Sequence, residues 1–241
     1  MAESWGDSAD LSAPPSGPVG DCSKRLRLAD PDVSEKVEVN VPLNKARYLF
    51  CEFFSGKGPL TSAVVEAGVP ARFPDDLASG GVDFEDRRAV DALGRELGEL
   101  VASGVLLMVH LAPPCSTFSR ARCRGSRTGL RSDDRPQGFP RLMAATRSAN
   151  LIACNTLYLA EWLAKELHVA VSMENPATSF IREFLHSDPE LNPSDVVYSC
   201  CMFGAPYQKH TRLRCWNWHP ASLVNHKCTS VGGVFSCGRT T

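Results

Sequence analysis

Cys115 stands directly after Pro113 and Pro114, which close the apolar run Val105-Leu106-Leu107-Met108-Val109-His110-Leu111. A run rich in Val and Leu suits a buried parallel strand, and prolines end it because they lack an amide proton for a sheet ladder. A thiol delivered at a strand's carboxyl end lies where open α/β sheets bind ligands, and there it can act as a nucleophile. Taken alone, Cys115 reads more readily as one more small, buried apolar residue. Glu174 holds a matching position, because the run His168 to Met173 ends at Glu174-Asn175-Pro176. Two strand ends then present a Cys and a Glu on the same sheet edge, which is how an α/β fold assembles a site from distant sequence. By itself Glu174 also suits a cap for a helix over 178–185.

A glycine turn, Phe54-Ser55-Gly56-Lys57-Gly58, separates the strand-like Arg47 to Phe54 from a helix-like Leu60 to Ala67. Such a turn lets backbone approach a ligand closely and points helix N-terminal amides at it. A phosphate-binding loop needs Ser or Thr after the lysine, and Gly58 is there instead. A dinucleotide fingerprint needs a third glycine near Leu60 or Thr61. The short Phe-x-Gly-x-Gly of a nucleoside-cofactor turn is complete, although a plain tight turn explains two glycines as well. Asp75 and Asp76 follow the strand-like Val69 to Phe73, about twenty residues past the turn, where a carboxylate can hold a ribose diol. An Asx turn after Pro74 accounts for them equally. Arg120, Arg122, Arg124, Arg127 and Arg131 follow Cys115 in a polar loop from Ser116 to about Gly138, a solvated loop on charge alone.

The elements that must position these groups alternate between strand and helix. Asp83 and Asp86 have capping-box spacing at the start of a helix that carries Ala89, Val90, Leu93, Leu97, Leu100 and Val101 on one face and stops at Gly104. A long amphipathic helix spans Arg141 to about Leu167. Val196 to Phe203 reads as a further strand, and Gly204 to Arg214 as a basic turn into Cys215-Trp216-Asn217-Trp218. The alternation predicts an α/β fold with a doubly wound, mostly parallel sheet. Residues 1–40, rich in Ser, Pro, Gly and Asp, are expected to be a disordered tail. Lys24-Arg25-Leu26-Arg27 is a weak nuclear-targeting patch, and so short a cluster is more often merely solvated. The ordered domain is expected over 46–218, with an irregular tail over 219–241.

The chain has 241 residues, 43% hydrophobic and 22% charged, the balance of a soluble globular protein with a sizeable core. It has no signal-peptide core and no run near the roughly 20 apolar residues needed to span a bilayer, so an intracellular protein is expected, in nucleus or cytoplasm. The formal net charge of −1 gives no global pull toward nucleic acid, so any such binding must rest on a local patch. The ten cysteines lack framework spacing and read as reduced thiols. His219, His226, Cys228 and Cys237 fit no Cys-x-x-Cys or His-x-x-x-His pair, so no metal site is expected there.

The order of motifs resembles the catalytic domain of the cytosine-5 DNA methyltransferases. Phe54-Ser55-Gly56-Lys57-Gly58 is similar to that family's cofactor turn, Pro113-Pro114-Cys115 to its nucleophile motif, Glu174-Asn175-Pro176 to its Glu-Asn motif, and Phe203-Gly204-Ala205-Pro206 with the basic residues after it to its late arginine motif. The resemblance covers about 47–218. It implies a Rossmann-like class I methyltransferase fold, S-adenosyl-L-methionine as cofactor, DNA as partner, and methyl transfer to carbon-5 of cytosine through a covalent cysteine adduct. Cys115 would be the thiolate that adds to carbon-6, and Glu174 the carboxyl group paired with N-3, with Arg212 and Arg214 beside them. Phe54 would pack on adenine, and Ser55, Gly56, Gly58 and Pro113 would border the cofactor. Asp75 or Asp76 would hold the ribose and Asp83 the adenine amine. The target base would be extruded under a loop whose Ser116, Ser119, Arg120, Arg122 and Arg124 contact the nucleic acid.

The sequence departs from the pattern in three ways. Ser116 replaces the usual Gln after the nucleophile, and the late motif carries one extra residue before Arg212 and Arg214. No target-recognition domain follows Arg214, which implies a fragment, a minimal enzyme, or a partner chain that supplies target recognition. The alternatives are an RNA cytosine-5 methyltransferase, a catalytically inactive nucleic-acid- or cofactor-binding relic of the same fold, and an unrelated enzyme using Cys115 for acyl transfer with His110 or His210.

Overall fold

The computed structural model describes residues 47–72, 74–120, 129–231 and 234–237. The expected N-terminal tail with its basic patch, and Arg122, Arg124 and Arg127, lie outside these residues.

A five-stranded open sheet has the order β1-β2-β3-β5-β4, with β1 Arg47–Phe53, β2 Val105–Leu111, β3 Ala170–Pro176, β4 Ser194–Ser199 and β5 His210–Trp216. β1, β2 and β3 run parallel, whereas β5 is antiparallel to both of its neighbours. The sheet is therefore open and mostly parallel, as expected, and mixed through β5 alone among the described strands. Its extra antiparallel strand is the stretch expected to be a basic turn. From Thr211 to Cys215 buried and half-buried residues alternate, which is the period of a strand with two unlike faces. Conversely, the strand expected to reach Phe203 stops at Ser199, and Cys200–Phe203 forms a single 3-10 turn.

The expected second strand is the outer neighbour of β1, but it pairs only through isolated parallel bridges, Phe50 with Ala71 and Phe53 with Asp75. Pro70 and Pro74 remove two amide donors, so a regular ladder cannot run. What remains is the alternation of Phe50 N to Pro70 O at 2.9 Å, Arg72 N to Phe50 O at 2.8 Å and Asp75 N to Glu52 O at 3.0 Å.

The longer helices are α1 Pro59–Glu66, α2 Arg87–Ala102 and α3 Met143–Glu166, and the helix expected over 178–185 is the single turn Ile181–Phe184. The chain leaves β1 through α1 toward the outer edge, then returns through α2 to β2 and through α3 to β3. With right-handed crossovers, that reversal sets α1 on one face and α2 with α3 on the other. α2 buries Val90, Leu93, Gly94 and Leu97, the three- and four-residue intervals expected of it. These meet Leu159 and Leu163 of α3 and Val109, Leu111 and Val171 of the sheet in the main core. Each such side chain contributes roughly 1.5–3 kcal/mol when fully buried. α2 starts later than expected: Asp86, not Asp83, is its cap, accepting from Arg88 N at 2.9 Å. Cys154 on α3 is disulfide-bonded, an exception to the expected reduced thiols. Among the described residues, no helix is long and apolar enough to cross a membrane.

Candidate active site

The first half of the site is a row of polar side chains across the parallel strands. Glu52 on β1 is in register with His110 on β2, and His110 with Ser172 on β3, so all three project from one face. Glu174, two residues beyond Ser172, shares that face. All but Glu174 are buried. Glu52 accepts hydrogen bonds from Thr61 N at 2.8 Å and Thr61 Oγ1 at 2.5 Å, and so caps the first turn of α1 from the sheet. His110 Nδ1 meets Ser172 Oγ at 2.9 Å, and its Nε2 lies 3.9 Å from Glu174 Oε2. Burial pushes His110 down and outweighs the pull of Glu174 and Glu52, which leaves a neutral imidazole beneath Glu174 at neutral pH.

Lys209, from the turn that enters β5, reaches the same place. Its Nζ donates to Glu174 Oε1 at 3.0 Å. Burial disfavours the ammonium, but Glu174, and more weakly Cys200 and Cys115, hold Lys209 above the ordinary lysine range. Cys115 is half-buried, while its neighbours Pro113 and Pro114 are buried and exposed respectively. Cys115, Glu174 and Lys209 thus gather at the carboxyl ends of β2 and β3.

Arg212 and Arg214 are not brought to this group. Glu174 is in register with Leu213, whereas Asn175 faces Arg212 and Met173 faces Arg214, so strand alternation turns both guanidiniums to the opposite face. There Arg214 binds Asp195 in a bidentate pair at 2.9 and 3.1 Å and donates to Ser187 Oγ at 2.7 Å. Arg212 is pushed down by burial and by the neighbouring Arg182, against the pull of Asp195.

The glycine turn lies at the end of β1. Gly56 and Gly58 have φ of +57° and +66°, the left-handed region that a side chain disfavours. A Cβ on Gly58 would stand 2.8 Å from Pro74 Cγ, whereas one on Gly56 would meet nothing within 4 Å. The turn therefore has a filled side and an open side. Ser55 is buried, and the Phe54 ring packs on Phe84 with centroids 4.4 Å apart. Asp76 accepts from Gly56 N and Ala78 N, both at 3.0 Å, and so ties the turn to the strand beside it. Asp75 accepts from Val82 N at 2.9 Å and lies 3.9 Å from Arg72. Asp83 is exposed and accepts from Glu85 N at 2.8 Å, a turn-capping role.

No family model and no curated protein matches this chain.

The loop after Cys115 is built inward at both ends. Arg120 pairs with Asp133 at 2.5 Å and Glu183 at 3.1 Å and lies over the Phe180 ring. Ser119 bridges to Ser179. Arg131 is 2% exposed, donates to Thr117 O, Pro136 O and Asn150 Oδ1, and stacks on Phe118. Both arginines brace the loop, and Ser116 is exposed at its start. Of the histidines weighed for acyl transfer, His210 Nδ1 meets Ser199 Oγ at 2.7 Å and His110 Nδ1 meets Ser172 Oγ at 2.9 Å.

Glu52, His110 as a buried neighbour of Glu174, and Lys209 stand at or beside the candidate site and were not singled out for it from the sequence. Glu52 and His110 stand at matching places in two strands, a signal recoverable only once the register is known. Lys209 was hidden by reading the residues around it as one basic turn.

Proposed function

We propose that this chain is an S-adenosyl-L-methionine-dependent methyltransferase that modifies carbon-5 of cytosine in DNA. The observation that carries the proposal is the placement of Cys115 and Glu174 at the carboxyl ends of adjacent parallel strands, with Lys209 paired to Glu174 there. The topology supports it. The chain reverses direction between β1 and β2, and ligands of open α/β sheets bind in the crevice outside the carboxyl ends at such a reversal. The glycine turn after β1 and Cys115 after β2 flank that crevice.

The turn fits a nucleoside cofactor: its open side at Gly56 leaves room for close backbone approach, Phe54 offers a ring face, and Asp76 stands at the turn with oxygen lone pairs to spare for a ribose. When bound, the cofactor supplies an electrophilic methyl group. The remaining chemistry belongs to the protein. The Cys115 thiolate adds to carbon-6 of the extruded cytosine, and the ring electrons move toward N-3, where the Glu174 carboxyl group donates a proton. Carbon-5, now nucleophilic, would take the methyl group; N-3 then returns its proton to Glu174, and loss of the carbon-5 proton to water expels Cys115 and restores the aromatic ring. Lys209 places a positive charge beside Glu174, and His110, neutral and fixed by Ser172, positions Glu174 from below.

Incubation with the methyl-labelled cofactor and either duplex DNA or RNA tests the proposal. 5-Methylcytosine in DNA supports it. Methylation of RNA alone reassigns the substrate, and cofactor binding without transfer to either reduces the chain to a binding relic.

A further inference from the structure

A second chemical cluster lies away from this site. Cys201 sits in the 3-10 turn after β4, Cys228 in the loop that precedes the two-residue strand β6, Ser230–Val231, and Cys237 just beyond its partner β7, Val234–Phe235. Their sulfur atoms all lie within 4.8 Å of one another. All three are free thiols; Cys201 and Cys228 are buried and Cys237 is half-buried. Thiolates around tetrahedral zinc, with Zn–S of about 2.3 Å, stand about 3.8 Å apart, so the cluster needs to contract by no more than about 1 Å. A disulfide would use two of these sulfurs and leave the third beside it without a role.

A second observation concerns what holds this segment. A ribbon of two-residue strands is not stable on its own. Among the described residues after Trp216, none joins the main hydrophobic core. Polar links tie the segment back to the domain, namely Cys228 N to Ser199 Oγ at 2.8 Å, Ser199 N to His226 O at 3.0 Å, and Ser236 Oγ to Met202 Sδ at 3.8 Å. Small units with little core are commonly fastened by a metal.

We propose that Cys201, Cys228 and Cys237 bind a zinc ion that fastens the C-terminal ribbon onto the turn after β4. His226, two residues before Cys228, lies outside the 4.8 Å cluster of sulfurs and would turn toward it to complete a Cys3His set. Its ring stacks on Phe203, and its Nδ1 donates to Val224 O at 3.0 Å, which leaves Nε2 as the ligating nitrogen. The site was not legible within 219–237 because one ligand, Cys201, lies on the far side of β5. It is independent of the proposed methyltransferase activity.

The test is metal content of the full chain purified under reducing conditions, followed by cobalt(II) substitution. One zinc per chain is expected, and the cobalt form should show the intense visible bands of a tetrahedral site with sulfur-to-cobalt charge transfer. Cys237→Ala should lose that charge transfer in part and weaken metal affinity at least tenfold, while Cys115→Ala should change neither. Limited proteolysis of the wild-type chain with and without chelator keeps the test open if a variant fails to fold: cleavage within 219–237 should rise when metal is removed. A chain without metal after reconstitution, a cobalt spectrum lacking thiolate charge transfer, or a disulfide between two of the three cysteines in the reduced-purified protein would overturn the proposal.

Discussion

Alanine at Gly56 and at Gly58 should separate cofactor binding from stability, because the two glycines share a backbone conformation and differ in surroundings. Both have a left-handed φ, which costs a residue with a Cβ about 1–2 kcal/mol. At Gly56 nothing lies within 4 Å of the new methyl, so that cost stands alone. For a domain of this size, about 1 kcal/mol corresponds to roughly 2–4 °C in Tm, and Gly56→Ala should therefore melt only a few degrees early. At Gly58 the methyl would stand 2.8 and 3.1 Å from two atoms of Pro74, a stiff ring that must shift with its strand. Overpacking of that kind adds about 1–3 kcal/mol, for a total of about 2–5 kcal/mol and a fall of roughly 4–20 °C. Cofactor binding should show the reverse order of interest. The open side of Gly56 is where the cofactor is proposed to approach, so Gly56→Ala should lose at least tenfold in affinity by isothermal titration while remaining folded. If Gly56→Ala binds S-adenosyl-L-methionine as the wild type does, the turn is an ordinary one and the assignment of the cofactor site fails.

Three further outcomes follow from the geometry. Lys209→Gln should slow formation of the cytosine adduct about 10- to 100-fold, by analogy with loss of one charge-stabilising donor, and leave Tm nearly unchanged because the Lys209–Glu174 pair is half-exposed; equal rates would remove Lys209 from the site. Asp195 is held below the usual carboxylate range because Arg214, aided by Arg212 and Arg182, outweighs the burial that opposes its charge. Its stabilising effect is therefore present above the ordinary carboxylate pKa and lost as pH falls through the lowered one, so Asp195→Asn should cost about 1–2 kcal/mol in urea at pH 7 and converge with wild type in acid. Arg131→Met should cost about 3 kcal/mol or more, since the acceptors on Thr117, Pro136 and Asn150 each lose a charged donor; a change under 1 kcal/mol in urea titrations would show that water replaces the guanidinium there.

Much of the parallel half of the fold was legible because it is written in unbroken patterns. β2 is an apolar run interrupted by His110 alone and buried on both faces toward its carboxyl end, α2 repeats its apolar residues at helical intervals, and prolines mark where β2 and β3 end. The antiparallel half was not, because β5 is polar on alternate residues and its basic side chains imitate a loop. Arg212 and Arg214 were placed in the candidate site by the resemblance of motifs, which carries no strand register, and it is the register of β5 that turns them to the other face. The carboxylates after Pro74 could be placed near the glycine turn but not told apart. What separates them is tertiary: Asp76 reaches back to the Gly56 amide, while Asp75 is enclosed against Gly81, where a Cβ would stand 1.9 Å from its oxygen. The zinc cluster shows the same limit, because a ligand set drawn from both sides of a strand has no local spacing to recognise.

The central claim is that Cys115 attacks carbon-6 of cytosine. It is tested most directly by mixing the protein with S-adenosyl-L-methionine and duplex DNA in which 5-fluorocytosine replaces the target base, since fluorine at carbon-5 blocks the final elimination and leaves the enzyme attached. A denaturation-resistant complex is expected, with the adduct mapped to Cys115 by peptide mass and absent in Cys115→Ala. A folded, cofactor-bound wild-type protein that forms no adduct with such DNA, or forms it equally without Cys115, would contradict the account.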